Sequence, residues 1–89
     1  MVRGWLRSRR QRRLLDEVTA IWCEVLGREH VGPHEDFLEL GGDSVAAIQI
    51  ISRAEELTGA ELSIQLLMEN RTVAAMAGEL ERVLAGEAT

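Results

Sequence analysis

The 89-residue chain has no lysine and no tyrosine, one proline and one cysteine, and only 3% of its residues are aromatic. A lone cysteine, Cys23, excludes an internal disulfide framework and any zinc site built on several thiolates. No apolar run approaches the roughly 20 residues needed to span a bilayer. The start, Met1 to Arg13, is positively charged but lacks the apolar stretch of a signal peptide. No segment alternates apolar and polar residues, and the β-branched residues fall inside helical patterns, so no strand is expected. The length allows one small domain and excludes a two-lobed or deep-barrel enzyme. What remains is a soluble, cytoplasmic, all-α protein with a modest core of Leu, Ile, Val, Ala and Met.

Charge is unevenly spread. Ten arginines face fifteen acids, a formal net charge of −5. Six of those arginines, Arg3, Arg7, Arg9, Arg10, Arg12 and Arg13, lie in the first thirteen residues, which contain no acid. From Leu14 to Thr89, four arginines stand against fifteen acids, a balance of −11. An acidic body repels phosphate backbones, whose neutralisation supplies most nucleic-acid affinity. The basic leader holds one aromatic residue, Trp5, and no stacking platform. Its plain reading is a solvated extension of the first helix; a functional reading is an electrostatic handle for an acidic partner. Nucleic-acid binding through this leader stands as an alternative that the acidic body disfavours.

Apolar spacing marks four helices. Leu14, Val18, Ile21 and Val25, with Leu15, Trp22 and Leu26 beside them, form the stripe of the first. A capping box from Ser8 to Gln11 would start it near Arg9, and Gly27 stops it. The second runs from Ser44 to Leu57 or Thr58, before Gly59. The third is short, Ile64 to Glu69. The fourth runs from Thr72 to Leu84, with Val73, Met76, Ala77, Leu80, Val83 and Leu84 on one face, and Gly86 ends it. The chain divides into a basic extension over 1–13, a folded domain over 14–85 and a tail over 86–89. A seventeen-residue loop, Gly27 to Asp43, joins the first two helices. Long loops in compact domains are unusual and often functional. Gly32-Pro33 marks a turn, Asp36 can cap another, and Phe37, Leu38 and Leu40 can anchor the loop on the core. Such a loop delivers Gly41-Gly42-Asp43-Ser44 to a fixed place.

Two glycines allow a sharp turn, and Asp43 or Ser44 can cap the helix that follows. Neither completes a capping box, because Ala46 and Ala47 stand three residues on. The core stripe of this helix is Ala47, Ile50, Ile51, Ala54 and Leu57. Val45 and Ile48 fall off that stripe beside Ser44, near Gln49 and Ser52, and make a small docking patch. A Ser44, His34, Asp36 triad can be written down, but a helical domain of this size offers no cleft for it. Cys23, His30, His34 and Asp36 match no strong zinc spacing. No catalytic residue and no metal ligand is expected, His30 and His34 read as solvated loop residues, and Cys23 as a structural or partly exposed thiol.

The run Asp36-Phe37-Leu38-Glu39-Leu40-Gly41-Gly42-Asp43-Ser44 resembles the attachment motif of carrier proteins. More narrowly, it resembles the peptidyl carrier (thiolation) domains of nonribosomal peptide synthetases, within the acyl carrier protein superfamily. The likeness spans about Leu14 to Leu84. It implies a bundle of three long helices and a short third one, and it implies that Ser44 accepts 4′-phosphopantetheine from coenzyme A. A separate phosphopantetheinyl transferase, using magnesium, would make that bond, with Gly41, Gly42 and Asp43 shaping the site. Asp43 would cap the helix or touch the transferase. The arm's thiol would then take an amino acid from an adenylation enzyme and present it to condensation or tailoring enzymes. The chain would be a non-catalytic shuttle, monomeric, without membrane or nucleic-acid partners. Its partner face would combine Val45, Ile48 and Gln49 with Leu66, Leu67 and Met68, although at least one of Leu66 and Leu67 belongs to the core.

Fatty-acid and polyketide carriers resemble one another in an acid-rich second helix. Here the residues after Ser44, Val-Ala-Ala-Ile-Gln-Ile-Ile, carry no charge, which favours the peptidyl class. An acyl carrier of a polyketide pathway and a non-carrier helical adaptor are the alternatives. The sequence departs from the family at Val45, where leucine is commoner, and at Asp43, where many elongation carriers have histidine. Its start at Met1 and its end soon after the fourth helix suggest a free-standing carrier.

Overall fold

A computed structural model describes residues 2–86, with side chains described from Arg9 to Gly86. Its elements are α1 (Val2–Leu26), α2 (Ser44–Thr58), α3 (Ile64–Met68) and α4 (Val73–Leu84), with no strand among the described residues. The expected all-α bundle of three long helices and a short one is what the chain forms. The side chains of Trp5 and Ser8, and residues 87–89 of the tail, lie outside the described residues.

The expected start of the first helix is corrected: α1 begins at Val2 rather than near Arg9. Ser8 therefore lies inside the helix and not at its start. Arg, Leu and Gln are strong helix formers, and extending a helix already nucleated costs little. The packed part begins at Leu14, whose side chain is buried together with Val18 and Trp22. Everything described before it, Arg9 to Arg13, is exposed. At about 1.5 Å per residue, α1 is about 37 Å long, against a longest molecular dimension of 41 Å. It runs nearly the length of the molecule, and its C-terminal half supports the rest.

α1 lies against both α2 and α4, and α3 bridges α2 and α4. Their shared core includes Trp22, Phe37, Ile50, Leu67, Met76 and Leu80, all fully buried. Burying such side chains stabilises by about 1.5–3 kcal/mol each. Trp22 and Phe37 meet edge to face at 5.5 Å. The buried indole Nε1–H donates to Met76 Sδ at 3.4 Å, so its one polar group is satisfied. An ion pair between Arg53 and Glu24 joins the outer faces of α2 and α1.

The long loop packs as a part of the core. Val31, Phe37 and Leu40 are buried. Its backbone is stitched to the start of α4: the Phe37 N–H donates to the Arg71 carbonyl at 2.7 Å, and the Ala74 N–H donates to the Pro33 carbonyl at 3.0 Å. The second bond satisfies one of the helix N–H groups that lack an intrahelical acceptor. Thr72 caps the same end, its hydroxyl accepting from the Ala75 N–H.

Three apolar expectations change. Leu38 is exposed rather than an anchor, because the turn over 37–40 directs Phe37 and Leu40 inward and Leu38 outward. Leu57 is half-buried, and Leu84 is 44% exposed. Both sit in the last turn of their helices, past the point where a neighbour covers the stripe.

Candidate functional site

The site begins with Asp36. Its Oδ2 accepts from the N–H groups of Leu38 (2.9 Å) and Glu39 (3.3 Å), and its Oδ1 lies 3.1 Å from the Arg71 guanidinium Nε. Its carbonyl accepts from the Leu40 N–H at 3.0 Å. The turn then closes on itself: the Gly41 N–H donates to the Leu38 carbonyl (3.1 Å) and the Gly42 N–H to the Phe37 carbonyl (2.9 Å). Residues 36–42 thus wind around the buried Phe37 ring. Gly41 has φ +91°, a conformation that favours glycine. Gly42 is demanded by proximity instead, since a Cβ there would lie 2.4 Å from the ring of Phe37.

After this turn Asp43 is extended, with φ −139° and ψ −175°. Its carboxylate accepts from the Ala46 N–H and its carbonyl from the Ala47 N–H, both at 2.9 Å. Of the two residues that could cap α2, it is Asp43 that does so. Ser44 is left as the first helical residue, exposed. Its hydroxyl makes no hydrogen bond to another described residue, and the N–H groups of Ser44 and Val45 donate to none. A free hydroxyl therefore stands beside two free N–H donors at the positive end of a fifteen-residue helix. The free N–H groups and the helix dipole favour negative charge on a group bound to the hydroxyl, while the Asp43 carboxylate at the same helix end opposes it.

Around Ser44, Val45 is 63% and Ile48 55% exposed, and Gln49 is exposed as well. On α3, Met68 is exposed and Leu66 half-buried. Leu67 is corrected: it is fully buried and offers nothing to a partner. A helix of one and a half turns points one of two adjacent leucines between α2 and α4, and that one is Leu67. Two exposed apolar residues were missed, Leu38 and Ile64. Ile64 lies four residues before Met68, and that helical spacing was the available signal. Leu38 had none, because its direction comes from the turn.

The triad of Ser44, His34 and Asp36 is not assembled. His34 and His30 are exposed, and the Asp36 carboxylate is taken by Arg71 and two backbone N–H groups. Cys23 is half-buried, with its thiol 3.8 Å from the Glu29 carbonyl. Among the described residues no cluster of His, Cys, Asp or Glu could hold a metal ion, and no helix is long and apolar enough to cross a membrane.

Comparison with known proteins places this geometry. Residues 16–80 match the model of the phosphopantetheine attachment site family. The chain is 54% identical to BlmI, a type-II acyl carrier protein from Streptomyces verticillus involved in bleomycin biosynthesis. The two superpose with a TM-score of 0.85 over 94% of this chain and 99% of that one. It is 57% identical over 54 residues, 61% of its length, to one component of the linear gramicidin synthase of Brevibacillus parabrevis. It is 43% identical over 81 residues, 91% of its length, to another component of that synthase. It spans only 1% and 2%, respectively, of those two large proteins. With its helices, its glycine turn and its matched span in agreement, the chain belongs to the phosphopantetheine attachment site family, whose members carry 4′-phosphopantetheine covalently, and it stands among the carriers of nonribosomal peptide synthesis.

Proposed function

We propose that Ser44 is the attachment residue and that the chain is a peptidyl carrier, a shuttle rather than a catalyst. One observation carries the reading: Ser44 is exposed and its hydroxyl bonds to no other described residue, at a helix start held in place by a closed turn. In loading, Ser44 Oγ would attack the phosphorus next to the pantetheine in coenzyme A. A new O–P bond forms, the pyrophosphate P–O bond breaks, adenosine 3′,5′-bisphosphate leaves, and the serine proton passes to the transferase. The residues here fit the product. The N–H groups of Ser44 and Val45 are free to face a phosphodiester, while the Asp43 carboxylate is turned to the Ala46 N–H. Once attached, the arm supplies a thiol that holds an aminoacyl or peptidyl group as a thioester.

The chain's own part is presentation. No described histidine or carboxylate is bonded to Ser44, so activation of the hydroxyl falls to a phosphopantetheinyl transferase. An adenylation enzyme then loads the arm, and condensation or tailoring enzymes take from it. Exposed Val45, Ile48 and Gln49 beside Ser44, with Met68 and the half-buried Leu66, offer them a small apolar face. Small interfaces suit partners that must release quickly. We read the carrier as a cytoplasmic monomer of the type-II kind; the match to the type-II carrier BlmI supports the type. An acyl carrier of a polyketide pathway is the second reading; the absence of acidic residues from the first turn of α2 favours the peptidyl one.

The test is intact mass after incubation with a permissive phosphopantetheinyl transferase, coenzyme A and magnesium. The wild type is expected to gain one phosphopantetheine and Ser44→Ala none, with unchanged helical spectra. A gain on the alanine variant would move the site elsewhere. No gain on wild type, with a known carrier loading in parallel, would favour a helical adaptor.

A further inference from the structure

We propose that the end of the bundle remote from Ser44 is a second docking surface, made for an acidic, amphipathic segment of a partner protein. There, α1, α2 and α4 enclose an open groove of about 410 Å³. Leu14, Leu57 and Leu84 form its apolar floor, and Arg10 and Arg13 its walls, with Glu17 beside them. Leu84 is 44% exposed, while Val73, Met76, Ala77 and Leu80 of the same helix are buried. Arg13 pairs there with Glu17 at 3.6 Å, its own side chain 83% exposed. Such a pair is worth about 0–1 kcal/mol, so an incoming carboxylate can replace it.

The groove adjoins the basic stretch that the carrier site leaves unused. Arg12 also lies on the exposed part of α1, ahead of the first buried residue, Leu14. The chemistry required of the occupant is therefore an aliphatic side chain to fill the leucine floor and carboxylates to meet the arginines.

Extent separates this occupant from its rivals. Duplex DNA carries a charge about every 1.7 Å along its axis and would run from the basic stretch onto a body of net charge −11. Charges farther apart than about 8–10 Å are largely screened, so a short peptide seated on the arginines meets little of that body. A membrane-surface helix needs a broad apolar face, whereas this groove opens one exposed leucine between charged walls. Leu57 lies thirteen residues after Ser44 in the sequence, about 20 Å along α2. A partner held here leaves Ser44 free for the enzymes that load and unload it.

The test uses the full chain, isotopically labelled for amide NMR. The probe is a short synthetic peptide of glutamates with leucines at helical spacing. Amide shifts are expected at Arg10, Arg13, Leu57 and Leu84, and affinity should fall as salt rises. Arg10→Glu, Arg13→Glu and Leu84→Ser should each weaken binding about tenfold, Arg10→Lys should retain most of it, and phosphopantetheine loading should stay unchanged in all. The Leu→Ser version of the peptide should bind poorly. No binding, or binding indifferent to these variants, would overturn the proposal. So would preferential use of the groove by duplex DNA, by phosphatidylglycerol vesicles, or by a second copy seen in sedimentation. Because loading is read separately, a failed carrier assignment and a failed docking surface would be told apart.

Discussion

Gly42→Ala would place a methyl carbon 2.4 Å from Cζ of Phe37, with the two Cε atoms at 2.5 and 2.6 Å. The ring cannot retreat, because Phe37 is fully buried and packed edge to face on Trp22 at 5.5 Å. Overpacking of this kind costs about 1–3 kcal/mol. Removing glycine's unfolded-state freedom offsets about 0.4–1 kcal/mol of it, since φ at Gly42 is not positive. The net expectation is a loss of about 1–2 kcal/mol, or about 4–16 °C in Tm for a domain of this size. Thermal unfolding followed by far-UV circular dichroism measures it. A double variant with Phe37→Leu should recover part of the loss, so the two substitutions should be non-additive. Gly41→Ala is the contrasting case: its Cβ meets nothing within 4 Å, but φ is +91°, so its cost is backbone strain and does not depend on Phe37. A Gly42→Ala variant that melts with wild type, or strict additivity with Phe37→Leu, would refute the close-approach account. Below its melting range the variant should also load phosphopantetheine more slowly, because any yielding of the turn moves Ser44.

Other consequences follow from burial and capping. Leu67→Ala should cost about 2–5 kcal/mol in urea unfolding, whereas Ile48→Ser should stay within about 0.5 kcal/mol and instead weaken transfer from a cognate adenylation enzyme. Asp43→Ala should lose about 1 kcal/mol from the missing cap, and Asp43→Asn only a few tenths, by the same unfolding measurement. Asp36→Ala should destabilise more than Arg71→Ala, because Asp36 holds two backbone N–H groups as well as the guanidinium. The Arg71 loss should be about 0–1 kcal/mol and should shrink in high salt.

Local information was enough for the number and type of helices, because the 3.6-residue recurrence of Leu, Ile, Val and Met is carried by neighbours in the chain. It also marked a turn before a helix start at Gly41-Gly42, a short-range pattern, whereas the attachment role proposed for Ser44 came from the likeness of the whole run Asp36 to Ser44 to the carrier motif. Where α1 begins was harder: a capping signal at Ser8 competed with the helix-forming arginines, and propagation from the packed half won. Which of Leu66 and Leu67 is buried, why Leu38 turns outward while Phe37 and Leu40 turn in, and why Leu57 and Leu84 open onto a groove are not local matters. They depend on where other helices stop covering a stripe. Gly42 shows the division well. The tight turn before Ser44 is written in neighbouring residues, but the Phe37 ring comes to fill the space a Gly42 side chain would need through long-range packing, because that contact exists only once the loop has closed on the core.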